Sequence, residues 1–202
     1  MTAPRLLVLA PLRLEARAAR RGAPGAIVLR TGMGPRRARA AAERARAIEA
    51  DAVVVAGFCG GLDPTLRPGD LVVASELRPS TGPPISLPDE GTPLAAALER
   101  QGLHARRGPV ACTERIVRGK VRAGLVGVAV DMESAWLAAA AGDRPFAVLR
   151  AVVDTPDREL LAPLATLRGG MRAYRSLARA ACALPGWAAT VSTTEEVPCP
   201  SP

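Results

Sequence analysis

Acidic side chains follow apolar runs at three places in this 202-residue chain. Glu15 comes one helical turn after Leu6–Ala10, Asp131 and Glu133 follow Leu125–Val130, and Asp154 follows Phe146–Val153. Two glycine-rich turns accompany them, Thr31-Gly32-Met33-Gly34-Pro35 and Gly57-Phe58-Cys59-Gly60-Gly61, where missing side chains let a ligand approach backbone N–H groups. In an open α/β sheet, ligands collect outside the carboxyl ends of the strands, which is where these residues fall. Other chemistries drop out. His104 is the single histidine and stands among arginines, so a Ser-His-Asp triad has one base without a partner pattern. No HExxH and no Cys/His cluster is present, which leaves zinc chemistry unsupported and no metal expected. Each feature taken alone has an ordinary reading. An Asp after a strand caps a helix, a Gly-Gly makes a turn, and Glu133 suits the first turn of a helix.

The elements that must position these groups are legible as an alternation. Apolar runs predict strands over Arg5–Ala10, Gly25–Arg30, Asp51–Ala56, Leu71–Leu77, Leu125–Val130 and Phe146–Val153. Between them the patterns predict helices over Leu12–Arg21, Pro35–Ala50, Pro93–Gln101 with Thr92 as N-cap, Glu133–Ala141 and Pro163–Ala183. Pro35 suits a first helical turn, where a missing N–H costs nothing. The proline-rich stretch Arg78–Gly91 reads as a surface loop. Continuous rather than alternating apolar strands indicate a sheet covered on both faces, hence a single three-layer α/β/α domain over residues 1–184. Residues 185–202, ending TVSTTEEVPCPSP, read as a flexible tail.

Composition narrows the partners. Hydrophobic residues make up 49% and charged residues 23%, as in an ordinary globule, while aromatics at 2% leave the core to Ala, Val and Leu. The net charge of +8 raises nucleic acid or an anionic membrane as partners. The arginines, however, are spread over helix faces and mixed with Glu43 and Glu49, and no aromatic stacking platform is present, so nucleic acid is not expected. Cysteines at 59, 112, 182 and 199 form no CxxC pair, which points to a reducing, cytoplasmic setting. Leu6–Ala10 is too short for a signal-peptide core or a membrane span.

Taken in order, TGMG, AGFCGGLDPTLRPGDLVV, VDMESAWLA and LRAVVDTPD resemble the nucleoside phosphorylase and nucleosidase superfamily that includes methylthioadenosine nucleosidase. The resemblance runs from about Leu6 to Asp157, and GMGPRRARAAA, GGLDPTLRPGD and VDMES are most similar to the hopanoid-associated phosphorylases, or adenosylhopane nucleosidases. It implies a central mixed sheet, a homo-oligomer, no cofactor, and inorganic phosphate or water as the second reactant. The implied reaction cleaves the N-glycosidic bond of a purine nucleoside and releases adenine from a 5′-substituted adenosine such as adenosylhopane. Methylthioadenosine, S-adenosylhomocysteine or a futalosine-like nucleoside is the alternative substrate. A nucleoside-binding module without catalysis is the alternative outside enzymes, and a bilayer-borne substrate would bring transient contact with anionic membrane.

The resemblance also assigns roles. Asp154 falls on the acid that protonates purine N7, and burial behind Val152 and Val153 would raise its pKa for that task. Glu133 falls on the residue that accepts hydrogen bonds from the ribose hydroxyls, with Met132 against the sugar and Asp131 beside them. Gly57, Phe58, Cys59 and Gly60 form the turn near the base. Glu15 corresponds to the glutamate that orients water in hydrolytic members. Arg13 and Arg17, or the Gly32–Gly34 backbone at a helix start, are candidates for holding phosphate instead, so both nucleophiles stay open. Asp131 is one methylene shorter than the family's first acid and Val153 replaces its serine. Phe58 and Cys59 replace small or polar residues, and together these departures imply a substrate other than methylthioadenosine.

Overall fold

The structure, a computed structural model, describes residues 3–87, 91–156 and 163–193. Its strands and helices alternate: β1 (Leu6–Ala10), α1 (Arg13–Gly22), β2 (Ile27–Arg30), α2 (Pro35–Arg46), β3 (Ala52–Gly61), β4 (Leu71–Pro79), β5 (Ile85–Ser86), α3 (Gly91–Glu99) and β6 (Ala105–Cys112). There follow α4 (Gly119–Ala123), β7 (Ala129–Asp131), α5 (Ser134–Leu137) with a 3₁₀ turn at Ala138–Ala140, β8 (Phe146–Asp154), α6 (Pro163–Ala180) with a 3₁₀ turn at Ala181–Ala183, and α7 (Leu184–Ser192).

Both faces of the sheet are buried, which is why its strands are apolar without alternation. Along β1, Leu7 and Leu9 point to one core with Val53 and Val55, while Leu6 and Val8 point to the other with Val54 and Leu149. The first core is closed by α2, which presents Ala38, Ala41, Ala42 and Ala45 at helical spacing, so that methyl groups set helix and sheet close together. The second is closed by α1, α3, α6 and α7 through Leu94, Leu98, Leu177, Leu184 and Trp187. This is the expected three-layer arrangement around a mixed sheet.

The sheet is not simply open. Its order is β2-β1-β3-β7-β6-β4-β5, and β8 pairs in parallel with β3 and antiparallel with β4. Strands β3, β7, β6, β4 and β8 therefore close a circuit, which brings the carboxyl ends of β1, β3, β6, β7 and β8 to one place.

Several expectations need correction. Strand β6 was invisible as an apolar run, because Arg106 and Arg107 face solvent in its first half and Gly108-Pro109 interrupts it. Strand β7 begins at Ala129 rather than Leu125, and the helix expected at 133–141 is one short α-turn followed by a 3₁₀ turn. Strand β5 pairs with β4 inside the stretch read as a loop, and Thr92 lies within α3 rather than capping it. The expected tail begins one residue inside α7, whose Trp187 is fully buried. The fold thus includes α7 to Ser192, while residues 194–202, with Cys199, lie outside the described residues. Among the described residues, no helix is long and apolar enough to cross a membrane.

Trp187 supplies the largest fully buried side chain of the core, in a protein with few aromatics. Trp187→Ala is expected to cost about 3–5 kcal/mol of unfolding free energy in a urea titration. A loss below about 1 kcal/mol, the range of surface substitutions, would show that α7 is an appendage.

Candidate active site

A pocket of about 220 Å³ opens where the five strand ends meet. Glu15, Phe58, Cys59, Gly60, Asp131, Met132, Glu133 and Asp154 all line it, so residues far apart in the chain converge on one pocket. Pro11, Leu12, Met33, Thr113, Ile116, Val117, Arg122, Val130 and Val153 complete its wall.

Glu15 stands at the third position of α1 and is almost fully buried. Its Oε2 accepts the Leu12 N–H at 2.5 Å, closing its own helix start, and its Oε1 accepts the Phe58 N–H at 2.6 Å. Burial pushes its pKa up to about 7, against the lowering effects of the Arg150 guanidinium and the two backbone donors, with Glu133 adding to the rise.

Beneath the pocket lies a group that no assignment above includes. Arg150, in the middle of β8, has no exposed surface. Its Nη2 lies 2.6 Å from Asp131 Oδ2 and 3.9 Å from Glu133 Oε2. Nη2 also donates to Ser134 Oγ at 2.7 Å, and Nη1 donates to the Phe58 carbonyl at 3.3 Å. Burial by itself would lower the pKa of this guanidinium, but Asp131, Glu133 and Glu15 raise it. The signal was available in FAVLRAVV, since an arginine inside a continuous apolar strand needs carboxylate partners.

Asp131 is committed to this cation. It also accepts the Ser134 hydroxyl and the Glu133 and Ser134 N–H groups, so it holds the turn rather than offering free lone pairs. Glu133 Oε1 accepts the Gly34 N–H at 2.8 Å, leaving Oε2 as its freer oxygen. Burial raises the Glu133 pKa, opposed by Arg150 and reinforced by Asp131.

Asp154 is not in the apolar setting that Val152 and Val153 suggested. Arg122 of α4 grips both of its oxygens, Nη1 to Oδ2 at 2.9 Å and Nη2 to Oδ1 at 3.3 Å, and Nη2 also donates to the Gly61 and Asp154 carbonyls. A register shift brings Asp154 there: Cys59 pairs with Val152 and Gly60 with Asp154, so Val153 is the extra residue of a bulge.

The glycines of the third strand also leave room for charged side chains. A Cβ at Gly57 would overlap Arg150 Nη1 and lie 2.8 Å from Glu15 Oε1. One at Gly60 would lie 2.8 Å from Arg122 Nη2 and 3.0 Å from Asp154 Oδ1. Both make room for ion pairs, and Gly57 lies below the pocket rather than in its wall.

The phosphate candidates do not converge. Arg13 and Arg17 are one turn apart on the solvent face of α1, and both are exposed, whereas Glu15 between them points inward. The Gly32 N–H bonds to the Pro11 carbonyl and the Gly34 N–H to Glu133, so neither donor is free for an anion. Cys59 and Cys112 are buried thiols whose pKa values burial pushes well up, which makes them poor nucleophiles. Among the described residues, no group of His, Cys, Asp and Glu side chains could hold a metal ion.

The chain matches known proteins in sequence profile and in fold. The sequence profile of the phosphorylase superfamily matches residues 18–181. The 5′-methylthioadenosine/S-adenosylhomocysteine nucleosidase of Colwellia psychrerythraea 34H, solved with adenine, superposes with a TM-score of 0.74 at 19% identity, over 92% of this chain and 96% of that one. The Neisseria meningitidis enzyme of the same name, in complex with methylthio-immucillin-A, gives 0.74 at 19% identity, over 90% and 98%. The futalosine hydrolase of Helicobacter pylori strain 26695 gives 0.70 at 17% identity, over 96% and 99%.

The elevated Glu15 pKa has a consequence for stability. A folded value near 7 against an ordinary 4.5 means that the folded protein binds more protons between these limits. The stabilisation is therefore full below the unfolded value and is lost as pH rises through the folded one. The unfolding free energy of the wild type should fall by about 2–3 kcal/mol more than that of Glu15→Gln between pH 5 and 8, measured by denaturant titration. Parallel curves for the two proteins would place the Glu15 pKa near its ordinary value.

Proposed function

The chain belongs to the phosphorylase superfamily, and we propose that it hydrolyses the N-glycosidic bond of a 5′-substituted adenosine. The observation that carries this reading is the convergence of Glu15, Glu133 and Asp154 on one pocket at the strand ends. In the step, the C1′–N9 bond breaks with its electron pair moving into the base. The proton of the Asp154 carboxyl passes to N7, so that the base leaves neutral. Ribose acquires oxocarbenium character while Glu133 Oε2 accepts hydrogen bonds from its hydroxyls. Water adds to C1′ and gives its proton to Glu15. A Glu15 pKa of about 7 suits a base working near neutral pH.

Two observations favour water over phosphate. The candidate anion donors are exposed or already bonded, and Arg122, paired with Asp154, is the one cation in the wall among the described residues. The 5′ substituent is read from the mouth, where Leu12, Met33 and Ile116 are each more than one-third exposed and Val117 lies beside them. That apolar rim supports a bulky hydrocarbon such as the hopane skeleton. Methylthioadenosine, S-adenosylhomocysteine and futalosine, named for the similar structures, are the second group of substrates to compare.

Incubation with a panel of 5′-substituted adenosines should release adenine at a rate indifferent to added phosphate. Release that requires phosphate would make the enzyme a phosphorylase. Asp154→Asn should fold normally and lose roughly 10²-fold or more in turnover, the scale of a positioned general acid. A near wild-type rate would remove Asp154 from that role. Glu133→Gln should slow ribosides more than 2′-deoxyribosides, and equal losses on both would make Glu133 structural.

A further inference from the structure

The segment between β6 and β7 crosses the pocket, contributing Ile116, Val117 and Arg122 to its wall. From Glu114 to Gly127 every residue is exposed or half-exposed except Arg122, which is 3% exposed. Its neighbours Val121 and Val126 are 66% and 69% exposed, so no apolar anchor holds this stretch down. Arg122 instead reaches into the sheet and ends on Asp154 and the Gly61 carbonyl, in space that Gly60 leaves open.

We propose that Arg122 is a latch and positioning residue: by pairing with Asp154 it pins the 114–127 segment across the pocket and orients the carboxylate that faces the purine. The orienting half rests on the reading of Asp154 as the acid, whereas the pinning half stands on burial and geometry alone. The two N–H donors of Arg122 meet the two Asp154 oxygens, which fixes the plane of the carboxyl group that faces the purine. The latch is also built to open. Arg122 Nε is buried with no hydrogen-bond partner, an unmet donor that opposes the closed arrangement. Opening the segment would carry Ile116 and Val117 away with it and widen the entrance. Closing would return apolar wall and acid together, so access and chemistry share one contact.

Hydrogen exchange followed residue by residue tests the pinning half in the full chain. Arg122→Met and Asp154→Ala should each speed exchange of the 114–127 amides by about ten-fold or more while leaving β1, β3 and β8 unchanged. Arg122→Lys, which keeps the charge on a shorter reach, should retain part of the protection and part of the turnover. Turnover tests the orienting half. If Arg122 acts through Asp154, adding Arg122→Met to Asp154→Ala should cause no further loss in kcat, a non-additivity expected of one coupled unit. Unchanged exchange in Arg122→Met would overturn the latch, and losses in kcat that simply add would overturn its action through Asp154. Failure of the nucleosidase reading looks different: the wild type would release no base from any nucleoside, while the exchange contrast would persist.

Discussion

Arg150, a guanidinium with no exposed surface, lies among three buried carboxylates, Glu15, Asp131 and Glu133, and the geometry of the pocket depends on it. An isolated charge withdrawn from water is expensive, and a paired one is tolerated only when its hydrogen-bonding capacity is met. Arg150 meets that condition through Asp131, the Ser134 hydroxyl and the Phe58 carbonyl. One guanidinium serves three carboxylates in a space withdrawn from water. Asp131 takes the shortest contact, while burial raises the pKa of Glu15 and of Glu133 against the lowering effect of Arg150, with a carboxylate neighbour adding to each rise. The Glu15 carboxyl poised near neutral pH is thus chiefly a product of burial, held in check by Arg150.

The fold places a second, separate pair next to the first. The bulge at Val153 turns Asp154 toward Gly60, and Arg122 arrives from an exposed segment to meet it. Strand β3 lies between the two pairs with glycine at each point of contact, Gly57 beside Arg150 and Gly60 beside Arg122. Any side chain at either position would displace a charged partner. The acid of the proposed hydrolysis therefore stands at the end of β8 beside Arg122, whereas the base stands in the first turn of α1 with Arg150 as its nearby cation. Closure of the strand circuit through β8 is what sets them on the same side of the sheet.

The layered fold was readable because β1, β3 and β8 are continuous apolar runs, a pattern that only burial on both faces produces. Glu15, Glu133 and Asp154 were readable because each follows such a run. Strand β6 was not, since its first half is charged and exposed, and α7 was masked by Pro185 and Gly186, which begin a helix there rather than end one. Arg150 left a signal that the pattern of motifs obscured, a charge where no charge should stand alone. Arg122 left none: RGKVRAG is a basic surface sequence in every respect, and only the three-dimensional path of the segment singles out one of its cations. The same holds for Arg13 and Arg17, whose neighbourhood to Glu15 in sequence becomes opposition across a helix.

The dependence of the site on Arg150 is open to one direct measurement, the titration of Glu15 followed by carbon NMR of labelled glutamate side chains in the wild type and in Arg150→Met. The wild-type carboxyl should titrate near 7. Because Arg150 is the strongest influence holding that value down against burial, its removal should move the midpoint clearly upward. A midpoint that stays in place in a folded Arg150→Met protein would contradict the view that this guanidinium sets the charge state of the pocket.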